Sequence, residues 1–127
     1  MKLLVVDDSS VIRRIIKVTA NLLQMKTIEA QDGKEALKIL SDKYKEIDLV
    51  LLDWNMPEIS GYDVLVEIKN NSLFKDIPVM MVTTEGQRSN IIAAIKAGAA
   101  NYLTKPFTGE ELEEKILECF GNKGGFL

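Results

Sequence analysis

The sequence predicts an α/β domain, a three-layer sandwich with a parallel sheet between two layers of helices. Three observations carry this. Short apolar runs alternate five times with stretches of helical periodicity, and such (βα)5 alternation makes parallel strands joined by crossover helices. The runs Leu49–Leu52 and Val79–Val82 are apolar throughout instead of alternating, as strands covered on both faces are. Successive runs also stop on chemically active residues: LLVV at Asp7-Asp8, LVLL at Asp53, VMMV at Thr83-Thr84 and NYLT at Lys105-Pro106.

Each element has its own signal. Lys2–Val6 is the first strand. Ser9 or Ser10 offers an N-cap to a helix that carries Val11, Ile12, Ile15, Ile16, Thr19, Leu22 and Leu23 at helical spacing. Met25–Ala30 reads as a strand. Asp32 and Glu35 then resemble a capping box ahead of Ala36, Leu37, Ile39 and Leu40. The third strand is Asp48–Leu52. Pro57 and Gly61 mark a loop, and the next helix turns Val64, Leu65 and Ile68 inward. Pro78 opens the strand Val79–Val82, in which Met80 and Met81 are core residues. Ser89–Ala97 is a helix closed by Gly98 at C′. Ala100–Leu103 is the last strand. Thr108 and Glu111 form a capping box for a final helix with Leu112, Ile116, Leu117 and Phe120, followed by Gly121. The expected domain covers residues 1–121, with 122–127 as a loose tail.

Bulk properties exclude several classes. A chain of 127 residues fits one domain. Hydrophobic content of 46% against 28% charged excludes a disordered chain, which needs the reverse balance. The net charge of −3 supplies no basic stripe for a phosphate backbone, so no nucleic-acid partner is expected. No apolar run approaches the roughly 20 residues that span a bilayer, so no membrane insertion is expected. Four apolar residues precede Asp7, too few for a secretory signal of about 7–15. Cys119 is the sole cysteine, so no internal disulfide can form. These points together predict a cytoplasmic protein. There is no histidine, which removes Ser-His and Cys-His pairs and the commonest zinc ligand.

In a parallel sheet the residues that follow strand ends gather at one edge, and ligands of open α/β sheets bind there. Asp7, Asp8 and Asp53 should therefore meet. At an effective dielectric near 20, two unit charges about 4 Å apart interact by about 4 kcal/mol, so three carboxylates need protons or a cation to offset their repulsion. Oxygen ligands suit Mg²⁺, and Mn²⁺ also fits. Asp53 stands where a nucleophile would, since a carboxylate can attack phosphorus and form an acyl phosphate. Lys105 supplies a compact positive charge, and Thr83 or Thr84 a hydroxyl. No GxxxxGK[ST] or GxGxxG loop is present, so the phosphoryl donor must be another molecule. Taken singly, each acid could merely cap the following helix, Lys105 could be a solvated turn residue and Thr83-Thr84 a helix cap. Their coincidence at four successive strand ends favours a site.

The motifs VVDDS, LLDWNMPEISG, VTTEG and YLTKPF resemble those of response-regulator receiver domains, at the expected intervals and across essentially the whole chain. The resemblance implies a flavodoxin-like fold with strand order 2-1-3-4-5, an order given for such a receiver in general accounts of the fold. It implies Asp53 as phosphoacceptor. It implies a Mg²⁺ site made by Asp8, Asp53 and the backbone carbonyl of Asn55, with Asp7 supporting it through water. Thr83 and Lys105 would contact the phosphoryl oxygens, and Tyr102 would be the aromatic that turns inward when the threonine moves. A cis bond before Pro106 is also implied.

Trp54, Asn55 and Glu85, with the segment 90–94, are similar to the chemotaxis members of the family. The implied partners are a chemotaxis histidine kinase, the flagellar motor switch protein and a phosphatase, with the protein itself a monomer. The implied output surface lies around Tyr102, Glu85 and Trp54. The chain stops after the fifth helix, so the signal is expected to leave by protein contact. A stand-alone receiver in a phosphorelay or another signalling pathway is the alternative. A Mg²⁺-dependent hydrolase with an aspartyl intermediate needs a general acid two residues after the nucleophile, where Asn55 stands. A flavin module would meet repulsion between Asp7-Asp8 and the cofactor phosphate. The expectation is a phosphoacceptor switch, not an enzyme.

Overall fold

A computed structural model of the chain describes residues 1–121. The expected loose tail, 122–127, lies outside the described residues. In chain order the elements are β1 (Lys2–Val6), α1 (Ser10–Leu22), β2 (Lys26–Ala30), α2 (Gly33–Lys43), β3 (Leu49–Leu52), α3 (Gly61–Lys69), β4 (Val79–Thr83), α4 (Arg88–Lys96), β5 (Asn101–Thr104) and α5 (Gly109–Phe120). The five strands form one parallel sheet in the order β2-β1-β3-β4-β5, as expected. Val6 lies beside Ala30 and Leu52, Leu52 beside Met81, and Met81 beside Tyr102. All carboxyl ends therefore fall on one edge.

Successive strand residues point to opposite faces, so a strand buried on both sides feeds two cores. Leu4, Val6, Val50, Leu52, Val79 and Met81 pack with Ala36, Leu40, Val64, Leu65, Ile68 and Ala94 of α2, α3 and α4. Leu3, Val5, Leu49, Leu51, Met80 and Val82 pack with Ile16, Ala20, Leu112 and Ile116 of α1 and α5. Met80 and Met81 are both fully buried, one in each core. Each large apolar side chain hidden this way contributes roughly 1.5–3 kcal/mol.

Local chemistry sets the helix ends. Ser9, not Ser10, caps α1 and accepts from the Ile12 amide at 3.3 Å. Asp32 caps α2 through the Glu35 amide at 2.8 Å, but the Glu35 carboxylate turns back to the Gln31 amide instead of the cap residue, so the box is displaced by one residue. Ser60, which the sequence reading passed over, caps α3. Thr108 and Glu111 complete a reciprocal capping box on α5. Gly98 follows α4 at φ +111, where an L side chain is strained. Lys69 closes the turn into β4 by donating to the carbonyls of Lys75 at 3.0 Å and Ile77 at 2.7 Å, and burial lowers its pKa.

Strand and helix limits move by a residue or so at several ends, and β4 gains Thr83. A larger difference lies in α1. Ile16 and Thr19 turn inward, Ile12 and Leu23 pack partly, but Val11, Ile15 and Leu22 are exposed. Apolar residues occupy more of that helix than the sheet and α5 can cover. Leu117 of α5 is likewise exposed. No helix among the described residues is long and apolar enough to cross a membrane.

Candidate functional site

β1 ends at Val6 and β3 at Leu52, neighbours in the sheet, so Asp7 and Asp53 leave the edge side by side. Asp7 donates its amide to the Ala30 carbonyl and Asp53 its amide to the Val6 carbonyl, which continues the ladder one step beyond the strands. Oxygens of Asp7, Asp8 and Asp53 lie within 4.8 Å of one another. Asp7 and Asp53 are buried at 2% and 6% exposure, whereas Asp8 is exposed. Two buried anions beside a solvent-facing third make a mouth that a hydrated divalent cation can enter, with oxygen donors of the type hard cations take.

Lys105 reaches in from the end of β5. Its Nζ donates to Asp7 Oδ2 at 2.7 Å and lies 3.4 Å from Asp53 Oδ2. Asp7 Oδ1 accepts from the Ser9 amide at 2.9 Å. Asp53 Oδ1 has only a long contact, 3.4 Å, from the Asn55 amide. Burial raises the pKa of Asp53 above the ordinary aspartate value. The Thr83 hydroxyl and the Lys105 ammonium pull it back, and the Asp7 charge raises it again. One positive charge thus serves two buried carboxylates, and the deficit favours either a proton or a bound cation.

Thr83 and Thr84 differ in depth. Thr83 closes β4, is fully buried, and its Oγ1 accepts from the Glu85 amide at 3.3 Å. Thr84 is exposed. Neither caps α4, whose N-cap is Gln87 without a side-chain bond. The peptide bond between Lys105 and Pro106 is cis, as the family resemblance implied.

A second cluster adjoins the first. Asn55 Nδ2 donates to Glu85 Oε2 at 2.9 Å, Asn90 Nδ2 donates to Glu85 Oε1 at 3.1 Å, and the Tyr102 hydroxyl donates to the Glu85 carbonyl. Tyr102 is buried at 9% exposure, and its pKa is pushed up to about 12 by burial and by the charges of Glu85 and Asp53. It therefore stays a donor at any physiological pH. Trp54 stands apart from these bonds, stacked on Tyr62 with ring centres 5.2 Å apart.

The sequence did not disclose the roles of three residues, two of which it had marked only as a turn signal (Gly61) and as part of the segment 90–94 (Asn90). Gly61 opens α3 against the backbone of Asp53: a Cβ there would lie 1.9 Å from the Asp53 carbonyl oxygen. Asn90 holds the Glu85 carboxylate from the first turn of α4. Arg13 donates to the Asp7 carbonyl at 2.7 Å and to Glu29 at 2.8 Å. Gly61 closing the loop that holds Pro57 was visible as a turn signal, but a tight approach between two backbone segments has no mark in the pattern.

An acidic cluster, a lysine and a buried threonine at the carboxyl edge of a 2-1-3-4-5 sheet define a class, and comparison with known proteins agrees with it. The chain belongs to the response regulator receiver domain family, whose model matches residues 3–117. Within that family it is closely related to the CheY chemotaxis response regulators. It is 48% identical over 122 residues to the chemotaxis protein CheY1 of Helicobacter pylori, covering 95% of this chain and 98% of that protein. A response regulator receiver domain protein from Clostridium thermocellum superposes with a TM-score of 0.86 at 34% identity, covering 99% of this chain and 98% of that one. The Mn(2+)-bound form of response regulator Rcp1 superposes with a TM-score of 0.77 at 30% identity, covering 91% of this chain and 88% of that one.

Proposed function

We propose that this chain is a chemotaxis switch in a two-component system that accepts a phosphoryl group on Asp53 from a histidine kinase. The observation that carries the reading is the Lys105 ammonium, 2.7 Å from Asp7 Oδ2 and 3.4 Å from Asp53 Oδ2 at the mouth of the acidic cluster. An Asp53 oxygen attacks phosphorus, the new O–P bond forms as the P–N bond of a phosphohistidine breaks, and the departing imidazole keeps its electron pair and takes a proton. Lys105 leaves its contact with Asp53 and meets the phosphoryl oxygens, and the Thr83 hydroxyl donates to another. Such transfers need positioning and charge neutralisation more than covalent help from the protein.

Asp8, Asp53 and the Asn55 backbone carbonyl would hold Mg²⁺, with Asp7 supporting them through water. The oxygen donor set fits, and Mn²⁺ fits the same donors, in line with the Mn(2+)-bound relative. When bound, the cation supplies neutralisation of the oxygens that gather charge during transfer. The chain has no turnover chemistry of its own in this reading. It assists its own Mg²⁺-dependent phosphorylation and dephosphorylation, while Asn55, standing where an aspartyl hydrolase carries its general acid, keeps it from being a hydrolase.

Output follows from the second cluster. Tyr102 and Glu85 belong to that cluster and Trp54 follows Asp53 in the chain, and the surface around the three would bind the flagellar motor switch protein once Thr83 moves. The relation to CheY proteins supports that partner and a chemotaxis kinase. A cytoplasmic location, a domain ending near residue 121, and a separate phosphatase belong to the same proposal. The test is labelling by acetyl phosphate with Mg²⁺, read by intact mass. Wild type should gain one phosphoryl group and Asp53→Asn none. Equal labelling of both sinks the assignment.

A further inference from the structure

We propose that Arg13 is a positioning residue for the cation site, a strap that fixes the peptide between Asp7 and Asp8 and so aims the Asp8 carboxylate. This rests on the metal reading above.

The two carboxylates of β1's end are held very differently. Asp7 is buried and bonded on both oxygens, to the Ser9 amide and to Lys105. The Asp8 carboxylate is exposed and has no protein hydrogen bond among the described residues. Its direction is set only by the backbone it hangs from. That backbone begins with the Asp7–Asp8 peptide, whose six atoms from one Cα to the next are coplanar. A bond to the Asp7 carbonyl oxygen therefore restrains the Asp8 nitrogen and Cα as well. Arg13 Nη1 makes that bond at 2.7 Å.

The strap is anchored at both ends. Arg13 lies on the first turn of α1, and its amide donates to the Ser9 carbonyl. Its Nε donates to Glu29 of β2 at 2.8 Å, with the Arg13 side chain 16% exposed. One planar guanidinium thus links the first helix, the edge strand and the site loop. A lysine can satisfy the carbonyl or the carboxylate, but it has no fork to span both.

The alternative role for Arg13 has the opposite sign. A cation beside an acidic site repels a second cation, so removing it on charge grounds alone should tighten Mg²⁺ binding. Positioning predicts that removing it loosens binding, and that Arg13→Lys, which keeps the charge, does not rescue it.

The experiment titrates the full chain with Mg²⁺ by calorimetry, and with Mn²⁺ by the paramagnetic resonance of the free ion. It compares wild type, Arg13→Lys, Arg13→Ala and Glu29→Gln, with melting in EDTA and near-ultraviolet circular dichroism on each. Changing a residue that orients a metal's ligand without touching the metal weakens affinity by about 10–100-fold. Both Arg13 variants should weaken affinity by about tenfold while retaining the wild-type near-ultraviolet spectrum. Glu29→Gln, which leaves the carbonyl bond, should lose less. Affinity unchanged or tightened in Arg13→Lys overturns the strap, as does a loss matched by lost tertiary signal. Wild type that binds neither ion removes the metal reading itself, and the strap with it.

Discussion

Asp53 is a carboxylate whose environment departs from that of a free side chain. Its folded pKa is raised, first by burial. Between the unfolded value, near 3.9, and the folded one, the native chain keeps a proton that the unfolded chain releases. Stability therefore falls as pH rises through that interval, and the penalty is complete once the pH exceeds the folded value. In metal-free buffer at pH 7, Asp53→Asn should stabilise the protein by on the order of 1 kcal/mol. At pH values below the unfolded pKa the gain should vanish. Urea unfolding at both pH values measures this, and a variant less stable at pH 7 would show that the Lys105 pairing outweighs burial. Asp7, Asp8, Asp53 and Lys105 were legible in the sequence because each stands within two residues of the end of an apolar run. The strand-end pattern alone left Thr83 and Thr84 open, since a hydroxyl at a strand end reads the same one residue either way, and the family motif pointed to Thr83.

At the scale of elements, reciprocal chemistry was easiest to read. Thr108 and Glu111 announced α5 because both halves of the cap are visible in four residues. Ser60 was less visible, for its cap is a single bond to Asp63. Burial faces were read correctly for α3, where Val64, Leu65 and Ile68 are all fully buried, and too broadly for α1. Helical spacing identifies a helix, but which apolar residues turn inward depends on neighbours that spacing does not contain. Gly61 shows the cost of such hidden neighbours. Alanine is the better helix former by about 1 kcal/mol. Yet a Cβ at position 61 would collide with the Asp53 carbonyl at 1.9 Å, with backbone on both sides and no flexible side chain to yield. Gly61→Ala should destabilise the domain by about 1–3 kcal/mol, the range of core overpacking. Because α3 must shift away from Asp53, acetyl phosphate labelling should slow as well. Wild-type stability and labelling in this variant would mean that the loop re-forms without strain.

Over the whole molecule, alternation in the sequence yields parallel strands but not their order, because every right-handed crossover to a neighbouring position is compatible with the same pattern. The observed order makes β1 and β3 neighbours, hence the acidic pair, and puts β5 beside β4, hence Tyr102 beside Met81. From there one chain of bonds runs between loops far apart in sequence. Tyr102 donates to the Glu85 carbonyl, and the Glu85 carboxylate receives Asn55 from the loop after β3 and Asn90 from α4. A ligand or phosphoryl group shifts a conformational equilibrium only through contacts that differ between the states, and this bonded chain is the contact that links Asp53 to α4. Tyr102→Phe removes one bond at its far end. Leaving the Glu85 carbonyl short of a partner costs about 1 kcal/mol, too little to unfold the domain. Labelling of Asp53 should proceed as in wild type, because Tyr102 touches neither the acids nor Lys105. The amide chemical-shift changes that phosphorylation produces over residues 88–96 should shrink to less than half. A Tyr102→Phe protein with wild-type shifts in α4 would show that the signal crosses through Asn55 and Glu85 without the tyrosine.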